Sequence, residues 1–183
     1  MCRNIDNPKI TRATLPNFCI ISQSLSGKEV TTLYNSVDAF VYTTRGEGWG
    51  LPAMQAMSMG LPVMATNFGG VTDFMKPSNS FLIQLDGVVE IPTDSVYGWS
   101  LGTKWAEPSV AATVSIFQYL ATHRSHGQRV GAVARKYIVD NYSEEALGAI
   151  INDHLQRIRS KVLSRRLHAA APRHARQKKG LLG

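Results

Sequence analysis

Apolar residues fall in short runs along the first half of the chain and at helical spacing along the second. Residues 1–16 are polar and turn-prone, with Asn4, Asp6, Asn7-Pro8 and Pro16. The stretches 17–22 (NFCIIS), 39–44 (AFVYTT), 61–66 (LPVMAT) and 80–85 (SFLIQL) are compact apolar runs bounded by turn residues, and they read as strands. Between them lie helix-forming segments. One spans 26–37, with Ser26 or Gly27 near its cap. A second spans 52–59, with Leu51-Pro52 at its first turn and Gly60 as its stop, and a short one spans 71–75. Strands alternating with helices predict an α/β fold with a parallel, wound sheet flanked by helices. In such sheets ligands bind at the carboxyl ends of the strands.

The pattern then changes. Residues 86–104 read as an irregular passage with Gly87, Pro92, Gly98 and Gly102, and Tyr97, Trp99 and Trp105 are expected in core or lid packing. A helix is predicted over 109–122, with Val110, Val114, Phe117, Leu120 and Ala121 on one face, and another over 127–140. Ser143 caps a third, with Glu144 and Glu145 in its first turn. Its apolar stripe is Leu147, Ile150, Ile151, His154 or Leu155, and Ile158, with His154 expected as a packing residue. Periodicity ends near Ser164, and 164–183 is expected to be a disordered, basic tail behind this helical C-terminal region.

Composition adds three constraints. A chain of 183 residues with 44% hydrophobic content supports one domain with a real core. Cys2 and Cys19 make no disulfide framework, and Cys19, inside an apolar run, is expected as a free buried thiol. No His/Cys spacing suggests a metal site. The formal charge of +7 misdescribes the fold. Residues 1–156 carry 11 Lys and Arg against 13 Asp and Glu, whereas 157–183 hold nine basic residues and no acidic one. The basicity belongs to the C-terminal end, which makes a nucleic-acid binder acting through the tail the weaker alternative. No signal peptide or apolar run long enough to span a bilayer is evident, so the expected location is cytoplasmic or the cytoplasmic face of a membrane.

The candidate chemistry lies between residues 39 and 70. Gly46, Gly48 and Gly50 remove side chains so that backbone N–H groups can approach a ligand, and the helix start at Leu51-Pro52 suits a phosphate. Glu47 would repel a phosphate placed on it, but it can accept hydrogen bonds from sugar hydroxyls. Taken alone, a glycine turn of this kind is more often a tight strand-to-helix connection with an exposed Glu.

The whole stretch RGEGWGLPAMQAMSMGLPV (Arg45–Val63), followed by Gly69-Gly70, resembles the donor-site signature of group 1 glycosyltransferases. Glu47 matches the first Glu of that pattern, Gly48-Trp49-Gly50-Leu51-Pro52 the turn, Ala56-Met57 the helix, Gly60-Leu61-Pro62-Val63 the next strand and Gly69-Gly70 the second turn. Gln55 stands where the family has its second Glu, and Asp73 is the acidic residue after the second turn. A further segment, Lys104-Trp105-Ala106-Glu107-Pro108-Ser109, resembles one in some eukaryotic members. By composition, Pro108 is expected to open a helix with Glu107 near its positive end.

The resemblance implies a retaining enzyme of GT-B architecture, with two Rossmann-like domains, of which residues 1–163 would be part of the donor-binding one. It implies transfer of a hexosyl group from a nucleotide sugar to an acceptor hydroxyl, without a metal cofactor. Glu47 would bind donor sugar hydroxyls as the catalytic carboxylate. Gly48, Trp49, Gly50 and Leu51 would hold sugar and diphosphate through their backbone, with Arg45, Gly69 and Gly70 around them and Gln55 facing the ribose. Two further strand–helix units, which bring an Arg and a Lys to the diphosphate, and an acceptor domain precede this region in the family and are expected to be missing here. The competing expectation is an inactive fragment or interaction domain that associates through an unfinished sheet edge.

Overall fold

The computed structural model describes residues 19–95 and 102–170, apart from the side chains of residues 167, 169 and 170. Three strands, β1 (Phe40–Tyr42), β2 (Val63–Thr66) and β3 (Phe81–Ile83), form a parallel sheet in that order. Phe40 pairs with Val63, and Met64 with Phe81. The central strand β2 is buried along its whole length, as expected for a parallel strand covered on both faces.

Alternation along β2 assigns the two faces. Val63 and Ala65 join a large cluster with Tyr34 of α1 (Gly27–Asn35), Ala53, Ala56 and Met57 of α2 (Leu51–Ser58), and Ala134 and Ile138 of α4 (Arg124–Tyr142). Met64, with Ile83, faces Leu120 of α3 (Val110–Thr122) on the other side. The predicted helices form for the expected local reasons. Ser26 caps α1 in a capping box, Glu29 Oε2 accepting from the Ser26 N–H at 2.7 Å. Gly60, at φ +80°, ends α2 with the paired bonds Gly60 N–H to Met57 and Leu61 N–H to Ala56. That end is also where α4 approaches. A Cβ on Gly131 would lie 2.1 Å from the Gly60 carbonyl oxygen, and the Arg135 guanidinium donates to the Ser58 carbonyl.

Five expectations are corrected. Residues 19–22 pair with no strand, Ile20 and Ile21 are exposed, and Cys19 is an exposed free thiol. An apolar run needs a neighbouring strand to become one, and among the described residues none pairs with it. Residues 86–104 are not wholly irregular. β4 (Leu85–Glu90) and β5 (Lys104–Pro108) form an antiparallel hairpin. Tyr97 and Trp99 fall outside the described residues, whereas Trp105 sits in β5. Pro108 ends β5 rather than opening a helix, and Ser109 caps α3 by accepting from the Ala112 N–H. The segment predicted as a helix over 71–75 is a 3-10 turn at Gly69–Asp73. Finally, α5 (Glu144–Ala170) passes Ser164 without a break, and its apolar stripe, His154 included, is exposed rather than packed. Residues 171–183 lie outside the described residues.

Candidate functional site

The two glycine turns leave the carboxyl ends of β1 and β2 and close on each other. The Gly70 N–H donates to the Glu47 carbonyl at 3.0 Å. A Cβ on Gly70 would lie 2.1 Å from the Gly48 carbonyl oxygen and 2.7 Å from Trp49 Cα, so only hydrogen fits there. Gly50 adopts φ +91° as the N-cap of α2, and a Cβ on it would meet Val71 Cγ1 at 2.4 Å. Gly46 and Gly48 differ, since a Cβ on either would meet nothing within 4 Å. The expected role of the glycines therefore divides. Gly50, Gly69 and Gly70 make turn-to-turn packing possible, and Gly46 and Gly48 leave the outer surface of the turn bare.

Glu47 sits half-buried at the centre of this arrangement. The Tyr42 hydroxyl donates to its Oε2, and the Gly48 N–H donates to Oε1 at 3.2 Å. A carboxylate offers about four acceptor positions, so the group is oriented while keeping capacity for a hydroxyl donor. Tyr42 was not singled out from sequence. The available signal was its place at the end of β1, one strand period beyond Phe40 on the same face. Burial, reinforced by the Glu47 carboxylate, pushes its phenol up to about 12. It remains a neutral donor throughout the physiological range.

Trp49 directs its side chain inward, its ring 5.6 Å from Phe74 and 5.9 Å from Tyr142 of α4. Its ring is thus used for packing, and its backbone is what the turn can offer a ligand. Leu51 and Gln55, one helical turn apart, share the exposed face of α2. Gln55 borders a groove of about 300 Å³ between α1 and α2, with Tyr34, Thr31 and Ser58. The Tyr34 hydroxyl donates to the Pro52 carbonyl at 3.2 Å, with Gln55 Oε1 more distant at 3.5 Å.

Arg45 is drawn elsewhere. Its guanidinium makes two 2.8 Å bonds to the Glu107 carboxylate and lies over the Trp105 ring at 5.1 Å. Its carbonyl accepts from the Ala106 N–H at 2.8 Å. This residue fastens the β4–β5 hairpin to the first turn. Glu107, expected to act near a helix end, is instead its ion-pair partner, and the guanidinium holds the Glu107 carboxyl below its usual range. The structure thus brings together Glu47, Gly48, Gly50, Gly69 and Gly70, and places Gln55 farther along α2 and Arg45 on the hairpin side.

The sequence model of the family described as glycosyl transferases group 1 matches residues 6–91, the segment that contains both turns. Over that segment the chain is similar to the group 1 glycosyl transferases. A sulfoquinovosyl transferase of Arabidopsis thaliana is 39% identical over 56 residues, which is 31% of this chain and 11% of that protein. Among solved structures, sucrose-phosphate synthase of Thermosynechococcus elongatus superposes with a TM-score of 0.55 at 16% identity, over 75% of this chain and 29% of that one. The GtfA/B complex superposes at 0.50 with 19% identity, over 72% and 23%. The fold is Rossmann-like and similar to GT-B glycosyltransferases. The chain spans less than a third of each of these relatives. Among the described residues no helix is long and apolar enough to cross a membrane, and no three metal-ligating side chains converge.

Proposed function

We propose that the paired glycine turns form the donor site of a retaining glycosyltransferase, which takes a nucleotide-diphosphate hexose as donor. The supporting observation is the carboxylate of Glu47, held by Tyr42 and the Gly48 N–H beside the N-terminus of α2. Glu47 accepts hydrogen bonds from donor sugar hydroxyls and so sets the orientation of the anomeric carbon. The first N–H groups of α2 lack intrahelical partners and carry the positive end of its dipole, which suits the diphosphate. In the transfer, the bond from the anomeric carbon to the diphosphate oxygen breaks as the bond to the acceptor oxygen forms. The acceptor proton leaves with the diphosphate, and the anomeric configuration is kept. Stabilising charge on the departing diphosphate is the main electrostatic task, and no metal is assigned to it. Arg45 is engaged by Glu107, so within this turn that task falls to backbone N–H groups. Gln55 offers its amide oxygen to the ribose in place of a carboxylate.

Calorimetric titration with UDP, GDP and ADP, followed by the sugar nucleotides of whichever diphosphate binds, tests this reading. Saturable binding of one sugar nucleotide more tightly than its bare diphosphate, weakened by Glu47→Ala, is expected. A folded chain that binds none of them would remove the donor-site assignment and favour an interaction domain.

A further inference from the structure

The inner face of α4 is graded in size. Gly127, Gly131, Ala134, Ile138 and Tyr142 follow one another at intervals of three or four residues and so share one face of the helix. Gly131 lies against the C-terminal end of α2, where a methyl group would strike the Gly60 carbonyl oxygen. At the other end the same face carries an aromatic ring. Tyr142, the last residue of α4, meets both glycine turns. Its ring is 5.9 Å from Trp49 of the first turn and 6.4 Å from Phe74, which follows the second, edge-on to each. Trp49 and Phe74 are themselves 5.6 Å apart, so the three rings close a triangle. Phe74 is fully buried, and a Cβ on Gly50, the N-cap of α2, would lie 3.7 Å from its Cζ. Burial pushes the Tyr142 phenol above its usual value, and Tyr137 and the Asp73 carboxylate of the second turn add to the effect.

We infer that Tyr142 is a positioning residue of the donor site, its ring acting through Trp49 and Phe74 to hold the two glycine turns in place around Glu47. A glycine-rich turn has wide conformational freedom of its own, so its shape must be fixed by what packs against it. Trp49 is the one aromatic side chain of the first turn, and Tyr142 closes on it from a helix distant in sequence. The effect on a ligand rests on the donor-site reading, whereas the bracing of the turns does not.

The test compares Tyr142→Ala, Tyr142→Phe and Leu120→Ala in the full chain. Leu120 packs on the opposite face of the sheet, so its variant controls for lost stability alone. The readouts are hydrogen exchange at the Gly70 amide, which is bonded to the Glu47 carbonyl, the indole N–H resonance of Trp49, and titration with UDP, GDP and ADP. Tyr142→Ala should shift the indole signal and speed Gly70 exchange about tenfold. It should weaken binding of whichever diphosphate the native chain takes by about tenfold. Tyr142→Phe keeps the ring and should restore all three readouts, and Leu120→Ala should leave them near native. Native Gly70 exchange in the Ala variant would overturn the inference, as would a Phe variant equally impaired or an equal change in Leu120→Ala. Unchanged binding in Tyr142→Ala, where the native chain binds, would overturn it too. A native chain that binds none of the three nucleotides would remove the donor-site reading, and exchange and the indole signal would still decide whether Tyr142 braces the turns.

Discussion

Replacing Gly70 by Ala tests the contact on which the candidate site depends. The added methyl would sit 2.1 Å from the Gly48 carbonyl oxygen, 2.6 Å from the Gly48 carbonyl carbon and 2.7 Å from Trp49 Cα. All three are backbone atoms that cannot rotate away, so one turn must move by about 1 Å to restore an ordinary contact. That movement overpacks the interface, at about 1–3 kcal/mol, and breaks the Gly70 N–H bond to the Glu47 carbonyl, worth about 1 kcal/mol. The expected destabilisation is about 2–4 kcal/mol, or about 5–15 °C in Tm, with nucleotide binding lost as Glu47 shifts. Gly48→Ala is the matching control, since its Cβ would meet nothing. It should cost less than about 0.5 kcal/mol. If a donor approaches that open surface, it should still weaken nucleotide binding. Thermal unfolding and titration calorimetry on the two variants separate the effects. A Gly70→Ala chain with wild-type Tm and wild-type binding would refute the idea that the turns brace each other.

The remaining predictions concern single groups. Tyr42→Phe should leave the fold intact and weaken sugar-nucleotide binding about tenfold through the freed Glu47 carboxylate, as read by calorimetry. In the native chain, ultraviolet titration should show the Tyr42 phenol ionising near pH 12, a step lost in Tyr42→Phe. The folded state favours the neutral phenol, so its contribution to stability is full below the ordinary value of 10.0 and is lost as pH rises from there through about 12. Glu107→Gln should release the hairpin locally, seen as faster hydrogen exchange at the Ala106 amide with donor binding unchanged. The carboxyl of Glu107 is held low by Arg45, so acidification below its usual range should loosen the hairpin in the same way. Gln55→Glu should tighten nucleoside-diphosphate binding by about threefold to tenfold if that side chain faces the ribose, and leave Tm within about 2 °C.

Local chemistry was enough to determine much of this protein. Ser26 with Glu29, Pro52 with Gly60, and Ser143 mark helix ends through contacts with their own neighbours, and those helices form where the residues place them. The continuous apolar run of β2, read with the helices around it, announces a parallel sheet covered on both faces. The motif from Glu47 to Gly70 carried the family likeness and the packing of the two glycine turns, because its residues are close in sequence and each has a distinct steric or hydrogen-bonding task. Contacts between distant segments were not legible. The hairpin was missed because β4 and β5 are stabilised by each other, and their anchor, Arg45 to Glu107, spans 62 residues. Tyr42 became a partner of Glu47 only once the turn folded back on its strand. The run at 19–22 carries a strand's composition without a strand's neighbour, and the stripe of α5 carries a core helix's composition without a core. In both cases the residues specify what can be buried, and the tertiary structure decides whether anything is there to bury it against.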